Sequence, residues 1–202
     1  MSNWPGKYVI GLTGNIATGK SVVRRMLEQL GVFGIDADAL SHHAIARGAP
    51  GYRKVVDAFG GWILDESGEI DRARLGGLVF SDPEALQQLE AIVHPLVRQA
   101  IDLLIRHSKT CIIVIEAIKL LEGPLAGACD TIWTTFAPEA VQKARLMKSR
   151  NMNEQEALQR IHAQSAQEIK IAAANLVIQN TGPFEDTWKQ VLAGWKAIPV
   201  MP

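Results

Sequence analysis

Gly14-Asn15-Ile16-Ala17-Thr18-Gly19-Lys20-Ser21 decides how this chain is read. The stretch matches GxxxxGK(S/T) at every fixed position. Successive backbone N–H groups must turn inward to cradle phosphate oxygens, and glycine permits the dihedrals this needs. A lysine at position 20 reaches the β- and γ-phosphates, and the hydroxyl of Ser21 is placed to bind Mg2+. Val22 follows in the first turn of a helix whose N-terminus presents the positive end of its dipole. Upstream, Tyr8 to Thr13 is a mostly apolar run that reads as a buried parallel strand. Downstream, Val22, Val23, Met26, Leu27 and Leu30 keep helical spacing until Gly31. Strand, glycine loop and amphipathic helix are the setting this motif requires, so the chain is expected to bind a nucleoside triphosphate.

Further out, strands and helical patterns alternate. Val32 to Ile35 is a second short strand, ending at Asp36-Ala37-Asp38. From about residue 39 to 108 the pattern is mostly helical. Ser81-Asp82-Pro83-Glu84 marks a helix start with proline at N1, and His94-Pro95 is expected to interrupt that helix. Strand character returns at Cys111 to Ile115, ending at Glu116, and again at Thr131 to Phe136. Pro138 to Arg150 reads as a helix with Pro138 at N1. Asn153-Glu154-Gln155-Glu156 resembles a capping box. Leu176 to Ile178 is a last strand, followed by a helix through Trp188 and a tail from Pro199 that is expected to fray. Five strands separated by helices predict an α/β fold: a parallel five-stranded sheet covered on both faces, with a helical insertion after the second strand.

Composition narrows the function. The 202 residues carry 21 basic and 21 acidic side chains, so the net charge is zero and nothing suggests a nucleic-acid partner. No apolar run approaches membrane-spanning length, and Met1 to Lys7 lacks the apolar core of a secretory signal. A cytoplasmic enzyme or switch is the expectation. The two cysteines, Cys111 and Cys129, fit neither a metal knuckle nor a disulfide framework, and Cys111 reads as a buried core thiol.

A loop that holds phosphate needs an acceptor and a base before it can transfer phosphate. Asp36 and Asp38 lie just past the second strand, where the carboxyl ends of strands line one crevice. If the chain there is extended, the two point to the same side, one toward Mg2+ and the other toward the acceptor proton. A helix cap is the plainer alternative for either. Glu116 stands where a Walker-B acid stands, with a solvated strand end as its alternative. Arg145, Lys148 and Arg150 could close over a triphosphate or lie on a solvated helix face.

Taken together, several patches resemble the dephospho-CoA kinase family. They are Gly11-Leu12-Thr13-Gly14 with the loop, Ile35-Asp36-Ala37-Asp38, Phe59-Gly60, Asp71-Arg72, Leu89-Glu90, His94-Pro95, Gln164, and Val177-Ile178 followed by Asn180 and Gly182. They occur in the family's order over most of the chain. The resemblance implies ATP-dependent phosphorylation of the ribose 3′-hydroxyl of dephospho-CoA, the last step of coenzyme A synthesis. It implies a nucleotide core (8–38, 109–137 and 171–195), a helical substrate lobe near 39–108 and a lid near 138–170. Asp38 becomes the base and Arg145 the lid arginine. Arg72, His94 and Arg98 fall in the acceptor region, and Asn180 and Gly182 near the adenine. A monomer or small homo-oligomer with no nucleic acid or membrane partner is expected.

The chain also departs from the family pattern. Asn15 and Ala17 stand where glycines are usual. Asparagine tolerates left-handed geometry, and Ala17 is expected to keep a negative φ. Glu116-Ala117-Ile118-Lys119-Leu120-Leu121-Glu122 lacks the usual proline, the lid around Lys148-Ser149-Arg150 is shifted, and Asn175 replaces an aspartate. Among rivals, a nucleoside or nucleotide kinase would differ in the acceptor lobe. A GTPase would need an NKxD patch, which is absent. A non-catalytic nucleotide-binding module would leave the aspartates idle.

Overall fold

A computed structural model describes residues 3–199. The chain forms two compact units, one from the residues up to Asp36 together with those from His107 onward, the other Ala37–Arg106.

The first unit is built on a five-stranded sheet: β1 Tyr8–Gly14, β2 Phe33–Asp36, β3 Ile112–Glu116, β4 Thr131–Phe136 and β5 Leu176–Gln179. All pairings are parallel, in the order β2-β3-β1-β4-β5. The apolar run read as a buried strand is β1, with Val9, Ile10 and Leu12 fully buried. Helix α1 (Lys20–Gln29) packs Val23, Met26 and Leu27 into one core with Ile10, Leu12, Val114, Trp133, Ile178 and Val191. A sheet covered in this way is what continuous apolar strands require. Register aligns the ends of β2 and β3 with the last third of β1: Leu12 lies opposite Glu116, and Glu116 opposite Asp36. The loop after β1 and the acids ending β2 and β3 therefore share the carboxyl edge of the sheet.

The second unit is helical: α2 Ala37–Ala44, α3 Tyr52–Phe59, α4 Arg72–Ser81 and most of α5 Pro83–His107. Its core is Val55, Ile63, Ile70, Leu75, Val79 and Ala85. Asp71 caps α4 by accepting from the N–H groups of Ala73 and Arg74, and Asp82 does the same for Glu84 and Ala85. The start at Asp82 was legible in the sequence; the cap at Asp71 was not read there.

Several expectations need correcting. His94-Pro95 does not interrupt α5, which runs through Pro95. The buried positions Val93, Val97, Ile101 and Ile105 keep one phase across the proline, so side-chain packing carries the helix past one missing backbone hydrogen bond. The chain is not extended over 36–38: β2 ends at Asp36 and α2 begins at Ala37, so the same-side argument for the two aspartates fails. Cys111 is exposed, one residue before β3, because the apolar run becomes buried only after Ile112. Cys129 is the more buried thiol, and burial pushes its pKa up to about 12.

In the remaining helices, Pro138 is the N-cap of α6 (Glu139–Arg150) rather than N1. The capping box at Asn153 is present and opens α7 (Glu154–His162). Then come α8 (Gln167–Ala173) and α9 (Phe184–Lys196), which runs well past Trp188. The tail expected to fray lies, beyond Pro199, outside the described residues. No described helix is long and apolar enough to cross a membrane.

Candidate nucleotide-binding site

The loop 14–19 leaves β1 and turns into α1. Gly14 and Gly19 sit at φ 146° and 99°. A Cβ at Gly14 would lie 2.4 Å from Thr135 Oγ1, and one at Gly19 only 1.9 Å from Asn180 Nδ2. Both glycines are demanded by conformation and by space. Helix α1 has no side-chain cap hydrogen bond at Gly19. Its first turn thus presents backbone N–H groups and the positive dipole end, which suits an anion.

The residues between the fixed positions are each tied to another element. Asn15 is buried; its Nδ2 donates to Ser165 O at 2.9 Å and its Oδ1 accepts from Lys170 Nζ at 2.8 Å. Ile16 donates its N–H to Gln164 Oε1 at 2.7 Å and packs with Leu146, Ala157 and Ile161. The Ala17 carbonyl accepts from Arg145 at 3.0 Å. Thr18 Oγ1 lies 2.7 Å from Thr135 Oγ1, and its carbonyl accepts from Asn180 Nδ2 at 2.9 Å. Lys20 is buried, with Nζ 3.1 Å from the Asn15 carbonyl. The expected backbone geometry is reversed at one point. The left-handed loop residue is Ala17, at φ 59°, and Asn15 is not among the positive-φ residues.

Glu116 is not a solvated strand end. It is buried, and Oε1 accepts from Ser21 Oγ at 2.7 Å. Its Oε2 accepts from Arg24 Nε at 2.7 Å. Arg24 also donates to Glu28 and approaches Asp36 to 3.8 Å. Burial opposes the guanidinium charge, yet Glu116 and Glu28 outweigh it and raise the Arg24 pKa above its ordinary value. No group of three or more His, Cys, Asp or Glu suited to a metal occurs among the described residues. The donors at the loop are instead one hydroxyl, Ser21, and one carboxylate, Glu116. Such a sparse hard-oxygen set fits Mg2+, which keeps several waters and takes its other ligands from phosphates.

The structure therefore brings together the loop 14–21, Glu116, Arg145 and Asn180, with Asp36 joined through Arg24. Arg145 reaches the Asn180 carbonyl at 2.8 Å as well as the loop, so it braces two segments. Lys148 and Arg150 are exposed. Val22 is exposed in the first turn of α1. Gly182 has an ordinary φ, and a Cβ there would make only a normal contact with Asp186. Asp38, Arg72, His94 and Arg98 belong to the helical unit. Asp38 is half-buried in the first turn of α2; the other three are exposed. Arg72 lines a cavity of about 50 Å3 with His42, Ile45, Ala46, Glu69 and Ile70. His94 and Arg98, four residues apart, share a face of α5.

Sequence reasoning missed Arg24, Thr135 and Lys170. Arg24 had a local signal, since Lys20, Arg24 and Glu28 follow at four-residue spacing. Thr135 and Lys170 had none, because their partners are over a hundred residues away.

Comparisons with known proteins establish the family and the fold. A family model described as dephospho-CoA kinase matches residues 8–186. The dephospho-CoA kinase of Carboxydothermus hydrogenoformans is 43% identical over 187 residues, 91% of each chain. That of Bacillus licheniformis is 41% identical over 91% of this chain and 92% of its own. Among solved structures, a Thermus thermophilus protein superposes with a TM-score of 0.84 at 31% identity, covering 95% of this chain and 97% of that one. A shikimate kinase from Bacteroides thetaiotaomicron shares the fold at 12% identity and TM-score 0.55, over 94% of this chain and 96% of its own. The chain belongs to the dephospho-CoA kinase family.

Proposed function

We propose that this chain transfers the γ-phosphoryl group of ATP to the ribose 3′-hydroxyl of dephospho-CoA, giving CoA and ADP. The observation that carries the reading is the Ser21–Glu116 hydrogen bond beside a braced phosphate loop, in a chain of this family.

Each residue then has a task. Gly14 to Ser21, with the first turn of α1 at Val22, cradle the triphosphate by backbone N–H groups. Lys20 moves its ammonium from the Asn15 carbonyl to the β- and γ-phosphate oxygens. Ser21 and Glu116 hold Mg2+, with Asp36 behind them. That ion supplies charge neutralisation on the phosphate oxygens. Arg145 adds a cation from the 138–170 segment, which acts as the lid. Asp38 takes the ribose proton as the 3′-oxygen attacks the γ-phosphorus in line. Arg72, His94 and Arg98 bind the acceptor in the 39–108 lobe, and Asn180 and Gly182 border the adenine. The reaction is cytoplasmic, carried out by a monomer or small homo-oligomer, and needs neither nucleic acid nor membrane.

The test is incubation with Mg·ATP, with and without dephospho-CoA, followed by mass spectrometry. ADP and CoA in equal amounts, formed only with the acceptor, are expected. ADP without CoA would move the acceptor elsewhere.

A further inference from the structure

Arg24 is a half-buried cation that phosphate binding does not explain. It lies one turn past Lys20 on α1, and its side chain is 17% exposed. Nε donates to Glu116 Oε2 at 2.7 Å, one terminal nitrogen meets Glu28 Oε1 at 2.5 Å, and the other lies 3.8 Å from Asp36 Oδ2. Three carboxylates thus surround one guanidinium at the ends of β2 and β3. The remaining oxygen of Glu116 faces Ser21.

We propose that Arg24 is a positioning residue that controls how and when the divalent cation binds. The inference rests on the reading of Ser21 and Glu116 as the cation's ligands. Two physical effects follow from the contacts. First, Arg24 holds one oxygen of Glu116, so the carboxylate offers a cation only the other. One oxygen per carboxylate suits Mg2+, whereas Ca2+ readily takes both. Second, Arg24 neutralises part of a cluster that would otherwise attract a divalent cation unaided. With the guanidinium in place, the cation is taken up together with the triphosphate, whose charge completes the site. A lysine would not do the same work, because an ammonium lacks the planar fork that engages several carboxylates at once.

The experiment is a titration of the nucleotide-free chain with Mn2+, a paramagnetic substitute for Mg2+, followed by electron paramagnetic resonance at mildly alkaline pH. In Arg24→Met, nucleotide-free Mn2+ affinity should rise about tenfold and Ca2+ should compete better than in the unmodified chain. Adding Glu116→Gln to Arg24→Met should abolish the gain. An Mn2+ isotherm unchanged by Arg24→Met, with a lowered melting temperature, would reduce Arg24 to a structural brace and overturn the proposal. If Arg24→Met does not fold, Arg24→Lys provides the same readout. A smaller tightening is expected there, and none would be fatal. The unmodified chain with ATP separates the two levels of the argument. There, Glu116→Gln should weaken Mn2+ binding; if it does not, the cation-site reading fails, independently of what Arg24 does.

Discussion

The phosphate loop and the helical unit carry their candidate residues in opposite ways. Between Gly14 and Lys20 nearly every group is held by a buried or half-buried partner from another element: Gln164, Lys170, Arg145, Thr135 or Asn180. In the helical unit, Arg72, His94 and Arg98 stand exposed on helices whose cores lie beneath them. The loop is preorganised, and its donors need little rearrangement when charge develops on the phosphates. On the proposed function, the exposed Arg72, His94 and Arg98 would take up their geometry only when the acceptor arrives. Substitutions should therefore behave differently in the two regions.

The largest effect is expected at Lys20, in the rigid region. Lys20→Ala should lower kcat/KM for ATP by about a thousandfold and raise the ATP KM, as followed by ADP release. An unchanged rate would remove the phosphate-loop assignment.

Asp38 sharpens the contrast because it sits in the helical unit yet is assigned to chemistry. Asp38→Asn should cut kcat by about a hundredfold while ATP affinity, read by calorimetry, stays nearly constant. Equal loss of ATP binding would assign Asp38 to the metal or to folding instead.

Smaller effects are expected from the exposed residues. Arg72→Ala, His94→Ala and Arg98→Ala should each raise the KM for dephospho-CoA about tenfold, with ATP KM and melting temperature unmoved. A drop in melting temperature as large as that of a core substitution would mean these side chains are structural, and the contrast between the regions would break.

How much of this was readable follows the range of the interactions. β1, the loop and α1 were legible because motif, apolar run and helical spacing lie within two dozen residues. Glu116 could be picked as a strand end, but its register with Leu12 and Asp36 depends on pairings across the chain. Its partner Arg24 is 92 residues away, and sequence gives no measure of that distance in space. At Pro95 a sound local rule lost to a longer one: the apolar stripe of α5 outweighs one missing hydrogen bond. At Cys111 the apolar run placed the residue in the core, while the strand becomes buried two residues later, at Ile113. Local pattern fixes elements; the candidate site is assembled from contacts between them.

Ala17 gives the smallest effect and the most direct test of preorganisation. Its φ of 59° lies in the region that L-residues avoid. Holding alanine there costs about 1–2 kcal/mol. Ala17→Gly removes that strain but frees the unfolded chain, which offsets about 0.4–1 kcal/mol. The Arg145 contact is to the Ala17 carbonyl and survives the change. Net stabilisation of about 0–1.6 kcal/mol is therefore expected in urea unfolding. The control is Ala157→Gly, a fully buried position inside α7, which loses helix propensity and methyl burial and should destabilise by about 1–2 kcal/mol. If both substitutions destabilise equally, the loop does not hold its left-handed corner in the nucleotide-free chain. The rigid region would then owe its shape to the triphosphate, as the exposed side chains of the helical unit are proposed to owe theirs to the acceptor.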